Sequence, residues 1–275
     1  SGHEAGLAFD GDPSTSWRAA GPGPAEWSVD LGGLRELGGL VVDFGASHAS
    51  RYAVDLSEDG ATWRTAREVT GGNGGRDFLA LPESEARAVR LRLLEGPGKG
   101  PFELREVAVK PLAFAATPNA FVAEVAKEAP RGAWPRYLAN EQSYWAVVGV
   151  DADPDEGLLS EDGAPEAGAG LFSVEPFLLE EGRLVTWADV TTGHALVDGD
   201  LPIPSVTWEN GGTTLGTTAL AAGLPGSSAL LARYRVGNRE AKRRTVRLVL
   251  AVRPLQVNPP WQFLGTPGGV SEIRT

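Results

Sequence analysis

Asp10, Asp12 and Thr15 fall within six residues of one another in the stretch Phe9-Asp10-Gly11-Asp12-Pro13-Ser14-Thr15-Ser16-Trp17. Gly11 and Pro13 make this stretch a tight turn rather than a helix or strand. Such a turn points main-chain carbonyls inward, and the two carboxylates and the hydroxyl add side-chain oxygens. Oxygen ligands alone are the chemistry of a hard cation such as calcium, which takes about six to eight of them. A second reading fits the same residues: an Asp-rich surface turn whose side chains cap their own backbone. In either case Trp17 is expected to plug the core beneath the loop.

Other reactive chemistry is poorly provided for. The chain has no Cys, which excludes thiol catalysis and disulfides. His3, His48 and His194 lie far apart and give no zinc-type spacing. Glu141, Glu175, Asp189 and Glu209 are carboxylates available for glycoside hydrolysis, but nothing in the sequence pairs them. Glu175 and Glu209 flank strand-like runs and read as surface charges. There is no Gly-x-Ser-x-Gly elbow and no phosphate loop. No catalytic residue is therefore expected in this chain alone.

Charge narrows the partners. The 275 residues carry a formal net charge of −11 without an acidic tail, which argues against a nucleic-acid groove or an anionic membrane surface. No apolar run is long enough to span a bilayer. The sequence contains no Met and shows no leader pattern, so it is expected to be a mature form or a piece of something longer.

The elements that must position the turn are short strands. The chain holds 36 Gly and 20 Pro, spread so that turns recur along it. Apolar and polar residues alternate at Trp27–Gly32, Tyr52–Ser57 and Ala88–Leu93, the period of a half-buried strand. Leu40–Phe44 follows a Gly-Gly turn, and Thr62–Ala66, Asp77–Leu81 and Leu104–Val109 complete the first set. The prediction is all-β, a sandwich or jelly roll. Trp17, Trp27 and Trp63 fall at strand positions and read as core.

These residues also carry a resemblance. Ala8-Phe9-Asp10-Gly11-Asp12, Thr15-Ser16-Trp17, Trp27 to Gly32, Ser57-Glu58-Asp59-Gly60, Thr62-Trp63, Val89-Arg90-Leu91 and Leu104-Arg105-Glu106-Val107 resemble, in order, the coagulation factor five/eight type C, or discoidin, domain. Family 32 carbohydrate-binding modules share this pattern. The resemblance covers residues 1–112 and implies a galactose-binding-like jelly roll with a structural calcium. The implied ligands are the side chains of Asp10, Thr15 and Glu106 and the carbonyls of Leu7, Asp12, Thr15 and Arg105. It also implies a carbohydrate ligand at one loop end. The matching candidates are Arg18, His48, Arg51, Asn73 and Phe102, with no Trp or Tyr in these loops. Each of them also reads as an ordinary solvated loop residue.

Residues 113–133 read as a linker with a short helix, Ala120 to Glu128, capped by Asn119. Residues 134–275 read as a second, larger β-sandwich. Within it Asp151, Asp153, Asp155 and Glu156 form an acidic loop that reads as solvated. Gln142-Ser143-Tyr144-Trp145, Leu201 to Trp208 and Arg253 to Leu264 resemble the β-supersandwich in front of six-hairpin α/α-toroid glycosidases and phosphorylases. In those enzymes the toroid carries catalysis. The resemblance therefore implies a catalytic domain of the same parent chain outside this sequence, with Asn258, Trp261 and Gln262 near its mouth.

The expected function is a non-catalytic, carbohydrate-binding accessory region of a larger carbohydrate-active enzyme, with calcium fixing the loops of the first domain. A bacterial source and an extracytoplasmic site are expected from the resemblance alone. Two alternatives stay open: a protein-interaction or structural module, and a second domain that itself acts on carbohydrate.

Overall fold

The computed structural model of the protein describes residues 4–273; His3 lies outside them. The chain divides into two compact units, Ser1–Val125 and Ala126–Thr275. Both are built mainly of antiparallel strands, and the architecture is an all-β sandwich fold.

In the first unit the strands are β1 (Trp17–Arg18), β2 (Ala25–Phe44), β3 (Arg51–Ser57), β4 (Arg64–Val69), β5 (Arg76–Glu95) and β6 (Glu103–Lys110). They hydrogen-bond in the order β1-β6-β2-β5-β3-β4. Two pairs of expected strands are fused. Trp27–Gly32 and Leu40–Phe44 are both parts of β2, while Asp77–Leu81 and Ala88–Leu93 are both parts of β5. A straight strand of twenty residues would run about 66 Å. A compact unit of this size has a radius of gyration of about 14 Å, so these strands must bend. They do so at register shifts between Asp30 and Arg35 and between Leu37 and Gly39. Gly32, at φ +78°, sits at the first, and Pro82, which lacks an N–H, lies opposite the second.

Gly38 and Gly39 are not a turn, contrary to the sequence reading. They lie inside β2, where Leu112–Phe114 crosses the strand. A Cβ at Gly39 would stand 2.4 Å from the Phe114 ring, and one at Gly38 would stand 2.8 Å from the Leu112 carbonyl. The pair is needed for close approach. Trp27, Phe44, Tyr52, Leu56, Leu91 and Leu104 are fully buried in the core beneath. Trp17 joins them, but Trp63 does not. Trp63 is half-buried just before β4, with the Arg90 guanidinium over its ring at 4.5 Å.

The short helix α1 runs from Pro118 to Ala126. Its cap is Thr117, whose hydroxyl accepts from Ala120 N at 3.1 Å. Asn119 was the expected cap, but Pro118 already starts the helix, as proline does readily at the first position.

The second unit contains β7 (Trp145–Val148), β8 (Gly157–Ser160), β9 (Pro165–Glu166), β10 (Ser173–Glu180), β11 (Arg183–Val185), β12 (Thr191–Leu196), β13 (Pro204–Asn210), β14 (Thr213–Ala222), β15 (Ala229–Asn238) and β16 (Val246–Arg253). One sheet has the order β11-β10-β9-β8-β7 with β16 also paired to β10, and the other has β12-β13-β14-β15. Leu159 and Leu178 from the first and Val206, Trp208 and Leu215 from the second share one core. Two sequence readings are corrected here. Glu175 is buried, because its side chain lines an inner chamber with Phe177, Trp187, Trp208 and Gln256. Asp153 is buried too and accepts from Asp155 N at 3.0 Å, so the acidic loop is not wholly solvated. Glu209 is exposed as expected and pairs with Arg239 at 2.7 Å.

Candidate functional site

The Asp-rich turn follows a short 3-10 segment, Ala5–Ala8. Trp17 is buried in the core as expected, and Trp27 is tied to the 3-10 segment, donating from its indole to Ala5 O at 2.8 Å. Gly11 adopts φ +79°, which only Gly takes readily. Its N–H donates to Glu106 Oε2 at 3.1 Å, across 95 residues of sequence. The distant carboxylate therefore does close over the turn.

The oxygens around Thr15 are crowded. Its hydroxyl carries one proton, yet it lies 2.9 Å from Leu7 O, 3.0 Å from Asp12 O, and 3.0 and 3.2 Å from the two Asp10 oxygens. It can donate to one of the four. The rest face it as acceptor against acceptor, an arrangement that a cation resolves. Glu106 adds a related strain. Burial raises its pKa, the Gly11 hydrogen bond opposes this, and the Asp10 and Asp43 carboxylates push it up further. Arg105 fits the same picture. The β2–β6 register passes from Asp43↔Glu106 to Phe44↔Leu104, so Arg105 is the extra residue of a bulge, outside that ladder.

One detail of the sequence reading changes. The Asp12 carboxylate caps the turn, accepting from Ser14 N at 2.9 Å and Ser14 Oγ at 2.6 Å. Only its carbonyl faces Thr15. Among the described residues no three His, Cys, Asp or Glu side chains converge on a metal position. A cation here would be held by two carboxylates, a hydroxyl and main-chain carbonyls, and the donors present fit calcium.

The loop candidates gather where β2, β3, β5 and β6 end. Loops 45–50, 70–75 and 96–102 meet there. Gly72 N donates to Ser50 O at 2.9 Å and Ser50 N to Glu95 O at 2.7 Å. His48 stands at the centre: a Cβ on Gly74 would lie 2.7 Å from its Nδ1, and one on Gly96 would lie 2.4 Å from its carbonyl. Arg51 donates to Glu95 Oε1 at 3.0 Å. Asn73 is exposed on the neighbouring loop. Phe102 is brought to this end but is buried, so it presents no ring face.

The organising residue, Glu103, was not among the sequence candidates. Its Oε1 accepts from Arg18 at 3.0 Å and from Ser16 at 2.9 Å, and its Oε2 accepts from Ala46 N at 3.2 Å. Its backbone also ties Gly45 and Ser47. Burial raises its carboxyl, but the Ser16 and Arg18 hydrogen bonds and the Arg18 charge prevail and hold it below the ordinary range. Arg18 and Arg51 are each about half exposed and retain N–H donors beyond those ion pairs. The result is a pre-positioned set of donors on a braced loop end.

Residues 1–107 match the F5/8 type C domain family. They form an F5/8 type C domain. No curated protein matches this chain. Among solved structures, this chain is similar to chitosan-binding module 1 of a Paenibacillus sp. IK-5 chitosanase/glucanase. That match has 29% identity over 40% of this chain and 86% of that one, with a TM-score of 0.38. A Clostridium perfringens module solved with GalNAc-β-1,3-galactose matches at 26% identity, over 39% of this chain and 84% of its own, with a TM-score of 0.37. A pectin-binding module matches at 18% identity over 39% and 80%, with a TM-score of 0.35.

Proposed function

We propose that this chain is a carbohydrate-binding accessory region, and that its F5/8 type C domain takes a glycan at the end bearing Arg18, His48, Arg51 and Asn73. The observation that carries the reading is the convergence of these residues on one loop end, where Glu103 braces Arg18 and residues 45–47, Glu95 holds Arg51, and Ser50 O holds the loop of Asn73. Fixed donors of this kind read sugar hydroxyls without reorganising. The resemblance to family 32 carbohydrate-binding modules points the same way. The second unit's resemblance to a β-supersandwich supports membership of a larger, bacterial carbohydrate-active enzyme whose catalytic domain lies elsewhere in the parent chain. The test is retardation of the full chain in gels cast with soluble polysaccharides. Retention by one polysaccharide, reduced in His48→Ala, supports the reading. Equal mobility of both proteins in every gel overturns it.

Calcium at the Asp10, Thr15 and Glu106 site would have a structural role. It would neutralise the two carboxylates and hold Leu7, Asp12 and Arg105 carbonyls in place. A ligand that binds only the folded state stabilises it by about 2.7 kcal/mol at a hundredfold excess over Kd. Calcium is therefore expected to raise the melting temperature of the EDTA-treated protein, and Asp10→Ala to abolish the increase. Identical melts with EDTA and with calcium would leave only the capped-turn reading.

A further inference from the structure

The second unit contains a cleft that none of the preceding residues explains. It opens between the β7–β8 edge of one sheet and the β12–β13 edge of the other, with a volume of about 580 Å³, within the range of small-molecule sites. Trp145, Leu159 and Val206 form apolar walls, while Tyr144, Glu161 and His194 stand at its polar side. Tyr144 is 63% exposed.

This rim is held in place. Tyr144 N donates to Glu161 Oε1 at 3.0 Å, and Glu161 N donates to Tyr144 O at 2.9 Å. His194 Nε2 lies 2.8 Å from the Glu161 carbonyl. A carbonyl only accepts, so Nε2 carries the proton and Nδ1 is left as an acceptor in the neutral ring. The cleft thus presents the Glu161 carboxylate, whose Oε1 also lies 3.6 Å from Arg136 Nε, and an imidazole nitrogen, both acceptors. Ser160 Oγ already accepts from Asp162 N and Ala164 N, which leaves its own proton to donate.

A smaller inner chamber of about 40 Å³ shares Tyr144, Ser160 and Glu161 with the cleft. Glu175 and Gln256 line it, and both are more than nine-tenths buried. Glu175 Oε1 and Gln256 Oε1 have no hydrogen-bond partner within the protein. Gln256 Oε1 is a further acceptor in need of a donor, and Glu175 adds an unpartnered carboxyl oxygen.

We propose that this cleft is a second saccharide site, for a donor-rich neutral or amino sugar whose apolar face stacks on Tyr144 while its hydroxyl or ammonium groups donate to Glu161 and His194. No Arg or Lys lines the cleft, so an anionic sugar is disfavoured. Hydroxyls suit the acceptors, and an aromatic wall suits the ring face. The site is independent of the loop end of the F5/8 type C domain.

The test is amide chemical-shift mapping on the full chain with two probes, cellohexaose as the neutral sugar and hexameric glucosamine as the cationic one. Shifts are expected at residues 144–146 and 193–196, unchanged in His48→Ala. Tyr144→Ala should weaken binding about tenfold, the equivalent of about 1.4 kcal/mol, with melting behaviour retained. Glu161→Gln should weaken the cationic probe more than the neutral one. A response to the cationic probe that fades with salt assigns an amino sugar, and one that is salt-independent assigns neutral recognition. Absence of shifts at these residues with both probes overturns the proposal, as does undiminished binding by Tyr144→Ala. Shifts near His48 appear separately in the same spectra, so failure of one site is distinguishable from failure of the other.

Discussion

Asp55→Ala is expected to destabilise the first unit by about 3 kcal/mol, the lower end of the cost of breaking a buried ion pair. Asp55 lies in β3 and is 1% exposed. It accepts from Arg90 at 3.0 and 2.8 Å, from Arg92 at 2.6 and 3.1 Å, and from Thr65 at 2.8 Å. Removing it leaves two guanidinium groups side by side, with Glu26, 3.7 Å from Arg90, and the charge of Glu68 near Arg92 to offset them. Both arginines keep some solvent, which is why the lower figure applies. Asp55→Asn should cost nearly as much, because the charge is what the arginines require. Asp30→Ala, in the exposed pair with Arg87 at 3.1 Å, should cost far less, because water screens an exposed ion pair. Urea unfolding of the three variants checks this order, and equal costs for Asp55→Ala and Asp30→Ala would contradict it. Burial raises the Asp55 carboxyl, but the Arg92, Thr65 and Arg90 hydrogen bonds outweigh it and the net pKa is lowered. Its contribution is therefore present above the unfolded value near 3.9 and lost as pH falls through the lower folded one.

Two buried carboxyls of the second unit should act in the opposite direction. Burial pushes Glu175 up to about 7, opposed by Arg253 and reinforced by Asp162. Glu166, completely buried, is raised to about 7 by burial, against hydrogen bonds from Val257, Gly170 and Leu171. The folded state holds these protons more tightly than the unfolded chain does. The contribution of these two groups is therefore most favourable below the ordinary carboxylate value of 4.5 and is lost as pH rises from 4.5 to about 7. At 1.36 kcal/mol per pH unit, each group removes about 3 kcal/mol by neutral pH. Glu175→Gln should stabilise the second unit at pH 8 by up to that amount and flatten its pH dependence between 5 and 8. Glu166 also accepts from Val257 N at 2.6 Å, so Glu166→Gln should gain less. Urea melts at pH 5 and pH 8 test both, and a Glu175→Gln protein less stable than wild type at pH 8 would contradict the assignment.

Much of the first unit was legible because its signals are local. Alternation marked the strand segments, and Gly11 and Pro13 marked the turn. The sequence did not reveal that β2 and β5 run on through their bulges, because Gly32 and Pro82 look like turn residues until a partner strand holds them. Gly38 and Gly39 misled for a related reason: their need comes from Phe114, more than seventy positions away. The site shows the same limit. Arg18, His48 and Arg51 could be placed on loops from the resemblance, but Glu103 was invisible, since its role depends on where β1 and β6 pair. Glu175 read as a surface charge because Trp187, Trp208 and Gln256, which enclose it, lie far away in sequence. The cleft between β7–β8 and β12–β13 joins residues from opposite sheets, and no spacing announces it.

The most direct test of the central claim is calorimetric titration of soluble glycans into the calcium-loaded full chain, comparing wild type with His48→Ala and Arg51→Ala. The account predicts a glycan that binds wild type and is weakened about tenfold in each variant, the equivalent of about 1.4 kcal/mol, with the melting temperature unchanged. A glycan that binds wild type and both variants alike would contradict it and move recognition away from the loop end of the F5/8 type C domain.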